Sequence, residues 1–100
     1  MYDITVVSKR DGVAGEYVGR PSVLGNPFAI GRDGDRDEVI AKYRRWLWAE
    51  CGKHGEVLAE LDRLAEKFIA DRGLTLVCWC APKRCHADVI ASAIEWRNNP

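Results

Sequence analysis

Leu74-Thr75-Leu76-Val77-Cys78-Trp79-Cys80-Ala81-Pro82-Lys83-Arg84-Cys85-His86-Ala87-Asp88-Val89-Ile90 decides the fold, because one periodicity gives way to another within it. Residues 74–79 form an apolar run of strand length, the pattern of a strand buried on both faces. Val89, Ile90, Ala93 and Ile94 then recur at helical spacing, so a helix is expected to begin between Pro82 and His86. The chain is expected to fray at Asn98-Asn99-Pro100.

Upstream, Val57, Leu58, Leu61, Leu64, Ala65 and Phe68 mark the buried stripe of a helix over residues 56–71, with Gly73 read as its stop. Val39, Ile40, Tyr43, Trp46 and Leu47 mark another. Asp35 and Glu38 have the spacing of a capping box at its start, and Gly52 ends it. The short connection to Gly55 predicts an antiparallel helix pair. Residues 20–28 hold two prolines and a glycine, which forbids a regular element. So apolar a loop must be packed down. Phe28-Ala29-Ile30 is read as a short returning strand and Tyr17-Val18 as another. Asp3-Ile4-Thr5-Val6-Val7-Ser8 alternates like a first strand, and residues 9–16 form a turn.

Two strands joined by a helical crossover lie parallel. The expectation is therefore one α/β domain over residues 1–100. It is a small Rossmann-like sheet of two parallel strands plus short extra strands, with about three helices, in two or three layers. In such sheets ligands sit beyond the carboxyl ends of the strands. Both the sulfur-rich segment and the arginine-led loop follow a strand end, which points to one shared site.

Composition narrows the function. The chain is 47% hydrophobic and 30% charged, which excludes disorder. Fifteen basic residues balance fifteen acidic ones, so the basic excess that neutralises phosphates along nucleic acid is absent. Met1 is followed by no basic-then-apolar secretory pattern, and no apolar run reaches membrane-spanning length. A cytoplasmic location is expected, where four cysteines point to metal or reactivity rather than disulfides.

Three readings of the cluster stand side by side. Cys78 and Cys80, two apart in extended chain, share a face, with Trp79 directed the other way into packing. With Cys85 and His86 they make a Cys3His set for zinc, although the spacing departs from the usual knuckle. Alternatively Cys85, near a helix start and flanked by Lys83, Arg84 and His86, is a lowered-pKa nucleophile with His86 as acid or base. Neighbours on a helix diverge by about 100°, and the other histidine, His54, lies in the helix connection. The third reading is packing: buried cysteine behaves as a small hydrophobe, and Cys51 fits that best.

In the loop, Arg20 offers a fixed fork for carboxylate or phosphate, with Ser22 and Asn26 as short polar partners. A packed loop anchored by Leu24, Pro27 and Phe28 is the competing explanation. Asp33, Asp35 and Asp37 imitate the start of a calcium loop. Glu38 and Arg44 stand where glycine and a bidentate acid are needed, so calcium is rejected. Trp48 and Trp96 are expected to be partly exposed, as at a protein interface.

Gly19-Arg20-Pro21-Ser22-Val23-Leu24-Gly25-Asn26-Pro27-Phe28, paired with Cys78-Trp79-Cys80-Ala81-Pro82-Lys83-Arg84-Cys85-His86, resembles a small domain family of unknown function found in bacteriophages and bacteria. Tyr43-Arg44-Arg45-Trp46-Leu47 is similar to its middle section. The Cys then Cys-His arrangement also resembles a second uncharacterised Rossmann-like family. These resemblances imply a phage or bacterial accessory protein and supply no reaction. The leading expectation is a domain that binds or processes a small anionic, nucleotide-like ligand. Arg20, Ser22 and Asn26 would bind it, and Cys85 and His86 would do chemistry or help hold zinc. The competing expectation is a module docking on a host or partner protein.

Overall fold

The computed structural model describes residues 3–81 and 83–98. Strand β1 spans Asp3–Ser8, β2 Glu16–Tyr17 and β3 Gly73–Cys78. Helices α1, α2 and α3 span Arg36–Gly52, Glu56–Asp71 and His86–Asn98. The sheet is three-stranded and parallel, ordered β1-β3-β2, with β3 in the centre. It is an α/β fold with three helices, as the periodicities predict.

Register explains the layers. Ile4, Val6 and Ser8 pair with Leu74, Leu76 and Cys78, so these side chains share one face. Leu74, Leu76 and Cys78 belong to one core cluster with Leu47, Leu61, Leu64, Ile90 and Ile94 from the helices. Ile4 and Val6 pack against its edge. The helices therefore cover a single face, giving two layers. Leu61, Leu64, Leu76, Ile90 and Ile94 are each 0% exposed, and burial of each such side chain stabilises the fold by about 1.5–3 kcal/mol.

The link from β1 to β2, residues 9–15, crosses β3 on the other face. It begins as a 3-10 turn over Lys9–Asp11, with Ser8 as cap. It is shorter than the usual parallel crossover of about a dozen residues, because it lies flat on the strand. A Cβ at Gly15 would meet the Thr75 carbonyl oxygen at 2.8 Å and Val77 Cγ2 at 2.9 Å. Arg10 Nη2 donates to the Trp79 carbonyl at 3.0 Å and Lys9 Nζ sits 4.3 Å from the centre of the Tyr17 ring, which pins the link.

Four local expectations are corrected. Residues 28–30 are not a strand. Asp33 accepts from the Ala29 N–H at 2.8 Å and returns its own N–H to the Ala29 carbonyl at 2.9 Å, closing a turn instead. Trp79 lies beyond the end of β3 and is 51% exposed, not packed inward. Gly73 does not stop α2. Arg72 does, in the left-handed conformation at φ 56°, and Gly73 opens β3. Pro27 is exposed, so Leu24, 1% exposed, and Phe28, packed against the core, anchor the loop.

Asn98 ends α3 with its Nδ2 donating to the Ala65 carbonyl at 3.3 Å. Asn99, Pro100 and Pro82 lie outside the described residues. Among the described residues no helix is long and apolar enough to cross a membrane.

Candidate functional site

The chain leaves the sheet at the carboxyl ends of β2 and β3, and there a cleft of about 330 Å³ opens. Gly19, Arg20, Asn26 and residues 28–30 form one wall and the start of α1 another. The segment from Trp79 to the first residue of α3 closes the site. Arg20 and Asn26 from the loop, and Cys80, Cys85 and His86 from the sulfur-rich segment, line this one space. The two distant motifs therefore meet.

The loop is held by hydrogen bonds from three elements. The Val18 N–H donates to the Val77 carbonyl at 3.0 Å, continuing the β2 ladder. Tyr17 Oη donates to the Arg20 carbonyl at 2.7 Å, and Tyr43 Oη, from α1, donates to the Leu24 carbonyl at 2.7 Å. Asn26 Oδ1 accepts from the Phe28 N–H at 2.9 Å. Ser22 does not line the cleft, and its buried Oγ has no hydrogen-bond partner among the described residues.

His86 opens α3 and is 8% exposed. Its Nε2 lies 2.7 Å from the Val18 carbonyl, which can only accept, so Nε2 carries the proton. Burial lowers its pKa, the Val18 bond opposes that, and Arg20 lowers it further. The ring packs edge-on against Tyr43 at 5.1 Å between centroids. His86 is thus a neutral brace joining α3, α1 and the loop.

Cys85 stands directly before α3. Its thiol accepts from the Ala87 N–H at 3.4 Å, and its own N–H donates to Asp88 Oδ2 at 3.1 Å. Its Sγ lies 3.1 Å from Cys78 Sγ. Flanking positive charge suggests a lowered thiol pKa, but burial pushes Cys85 well above the ordinary thiol value. The hydrogen bond with Cys78 adds to the rise, and the Ala87 N–H opposes it. Burial wins because the side chain is inside, 4% exposed, while the cations that flank it in sequence, Lys83 and Arg84, are exposed.

Cys78 is 1% exposed and lies behind Cys85, away from the cleft lining, whereas Cys80 is half-buried and lines it. Among the described residues no group of three or more His, Cys, Asp or Glu side chains is arranged to hold a metal ion. His54 sits in the α1–α2 connection, outside the cleft lining. Cys51 is 6% exposed in the core, with its thiol pKa raised first by burial.

Two further arginines come from helix starts. Arg36 is the first residue of α1, and Arg84 lies two residues before α3; both line the cleft. Arg36 Nη1 donates to the Arg84 carbonyl at 2.8 Å, and Arg84 pairs with Asp37. Arg20 has no carboxylate partner among the described residues. A signal for Arg36 was present in the sequence: a cation just after an Asp35 cap opposes the helix dipole and calls for another reason to be there. Phe28, Ile30, Val39, Ile40 and Trp79 supply the apolar walls.

These shifts set a pH profile. His86 is lowered from 6.5, so the unfolded chain binds the extra proton first as pH falls. Stability is then full above 6.5 and lost as pH drops towards the folded value. Cys85 and Cys51 are raised from 9.0, so stability is present below 9.0 and lost as pH rises. The melting temperature is expected to be highest between pH 6.5 and 9.0. His86→Gln should flatten the acid side down to the carboxylate range and leave the alkaline side. A thermal melt at each pH checks both.

One family model matches the chain, over residues 6–96, and its description is Domain of unknown function (DUF4326). No curated protein and no solved structure matches the chain.

Proposed function

We propose that this chain, which belongs to the DUF4326 family, binds a small phosphate-bearing ligand with a planar ring, a nucleotide-like molecule, in the cleft between the loop and the α3 start. One observation carries the reading: the guanidinium-bearing residues Arg20, Arg36 and Arg84 share a space walled by Phe28, Ile30 and Trp79. Arginine forks suit phosphate oxygens, and aromatic faces suit a ring. A volume of about 330 Å³ is at the small end for ligand pockets, which suits a mononucleotide rather than a polymer.

The reading is of binding. A nucleophilic Cys85 would first have to lose a proton that burial and Cys78 hold on it. Asn26 and Arg20 contact the ligand, His86 braces the loop through Val18, and a bacterial or phage accessory protein is the setting.

Thermal melts with nucleoside mono- and diphosphates, nucleosides and inorganic phosphate test it. A ligand at a hundred times its Kd is expected to add about 2.7 kcal/mol of stability. Arg20→Ala should weaken binding tenfold or more, about 1.4 kcal/mol, because it removes a charge-assisted contact. If no anion moves the melting temperature, the cleft reading fails. The second reading then takes precedence: a protein-docking module centred on Trp48 and Trp96. Those side chains are 46% and 44% exposed and stacked edge-on at 4.6 Å.

A further inference from the structure

We propose that Cys78 and Cys85 are a redox couple, closed by a small disulfide that enters the cleft and is met first by Cys80. The two Sγ atoms lie 3.1 Å apart, and both thiols are free. A disulfide needs about 2.05 Å, so closure asks for a movement of about 1 Å. Cys78 ends β3 and Cys85 stands before α3, so the bond ties strand to helix. The segment between them carries Trp79, Cys80 and Arg84, which all line the cleft. Closure therefore acts on the wall that meets the ligand.

Cys78 and Cys85 are 1% and 4% exposed, whereas Cys80 is half-buried and opens on the cleft. Cys80 and Cys85 line the same cleft. It is the accessible thiol of the three.

The oxidant is a low-molecular-weight disulfide, RSSR. The Cys80 thiolate attacks one sulfur; the Cys80–S bond forms, the S–S bond breaks, and RS⁻ leaves and takes up a proton. Burial holds the proton on Cys85, so its thiol passes that proton to the departing RS⁻ as its sulfur attacks Cys80 Sγ, releasing the second RSH. Cys78 finally attacks Cys85 Sγ and returns Cys80 as a thiol. In sum, RSSR gains two electrons and two protons as 2 RSH, and Cys78 and Cys85 lose them.

The preference for an anionic disulfide rests on the anion-binding reading of the cleft; the thiol exchange does not. The test exposes the reduced chain, without oxygen, to oxidised glutathione (anionic) and separately to hydroxyethyl disulfide (neutral). Alkylation and peptide mass mapping follow. A Cys78–Cys85 link is expected with both, leaving Cys80 and Cys51 alkylated. Cys80→Ser should slow it about tenfold or more, and Cys85→Ser should stop at an adduct on Cys80.

Wild-type protein that gathers adducts or other links with no Cys78–Cys85 bond overturns the couple. So does one zinc per chain whose removal is needed to expose these thiols. Cys80→Ser oxidising at the wild-type rate overturns the role of Cys80. The wild-type map needs no variant, so a variant that fails to fold leaves it decisive. If the link forms equally fast with both disulfides, the anionic cleft fails and the couple stands.

Discussion

Tyr43→Ala is expected to destabilise the protein by about 3–5 kcal/mol, and Tyr43→Phe by about 1–3 kcal/mol. Tyr43 is 0% exposed, so truncation leaves a cavity where α1 meets the loop and α3. Its ring contacts Trp46 at 5.4 Å and His86 at 5.1 Å between centroids. Its hydroxyl is the donor to the buried Leu24 carbonyl at 2.7 Å. Removing the hydroxyl alone leaves that carbonyl unpaired, which is the whole penalty of the Phe variant. Small domains have about 5–15 kcal/mol of stability in total, so the Ala variant should be close to unfolding. Urea titration measures both. Ligand affinity should fall in Tyr43→Phe as well, because Leu24 sits in the loop that carries Arg20 and Asn26. A Phe variant as stable as wild type would show that the loop is held by its other contacts alone.

Tyr43 also shows which parts of the molecule the sequence discloses. Its place on the α1 stripe follows from helical spacing, and so do the buried faces of α2 and α3. The Asp35–Glu38 box is local chemistry and is present as expected: the Glu38 N–H donates to Asp35 Oδ1 at 2.9 Å, and the Asp35 N–H to Glu38 Oε1 at 3.0 Å. That Tyr43 would reach Leu24 and His86 depends on tertiary packing and has no local signal. Residues 28–30 look like a strand because they are apolar, yet a side chain farther on, Asp33, offers their backbone a better partner than a sheet edge. Alternation places Trp79 inside, but β3 stops at Cys78 and alternation stops with it.

The candidate site was legible as two segments, not as a geometry. Strand ends bring Arg20 and Cys85 to one cleft, as topology predicts. Which cysteine faces that cleft was not legible. Cys78 and Cys80 share a face in an ideal strand, whereas the turn after Cys78 buries one and opens the other. The thiol pKa of Cys85 misleads for the same reason, since charges are local in sequence and burial is not.

Gly15→Ala is expected to cost about 1–3 kcal/mol, a fall of about 4–8 °C in melting temperature per kcal/mol for a domain of this size. Gly15 is exposed to solvent, and a surface glycine ordinarily tolerates alanine. Here the added Cβ would meet the Thr75 carbonyl oxygen at 2.8 Å, with Thr75 Cγ2 and Val77 Cγ2 at 2.9 Å. One of these atoms is backbone in the central strand, so it cannot swing away; the link must lift instead. Glu16 and Tyr17 follow at once and pair with Leu76 and Val77, so lifting the link loosens β2 from β3. From there the strain passes through Tyr17, whose hydroxyl holds the Arg20 carbonyl, into the cleft wall. Gly52→Ala is the control, because nothing lies within 4 Å of its Cβ position at the end of α1. There alanine should stabilise by about 0.4–1 kcal/mol. The same substitution thus carries opposite signs at two solvent-exposed sites. Denaturant titration of both variants checks the difference, and a neutral Gly15→Ala would mean that the link does not lie against β3.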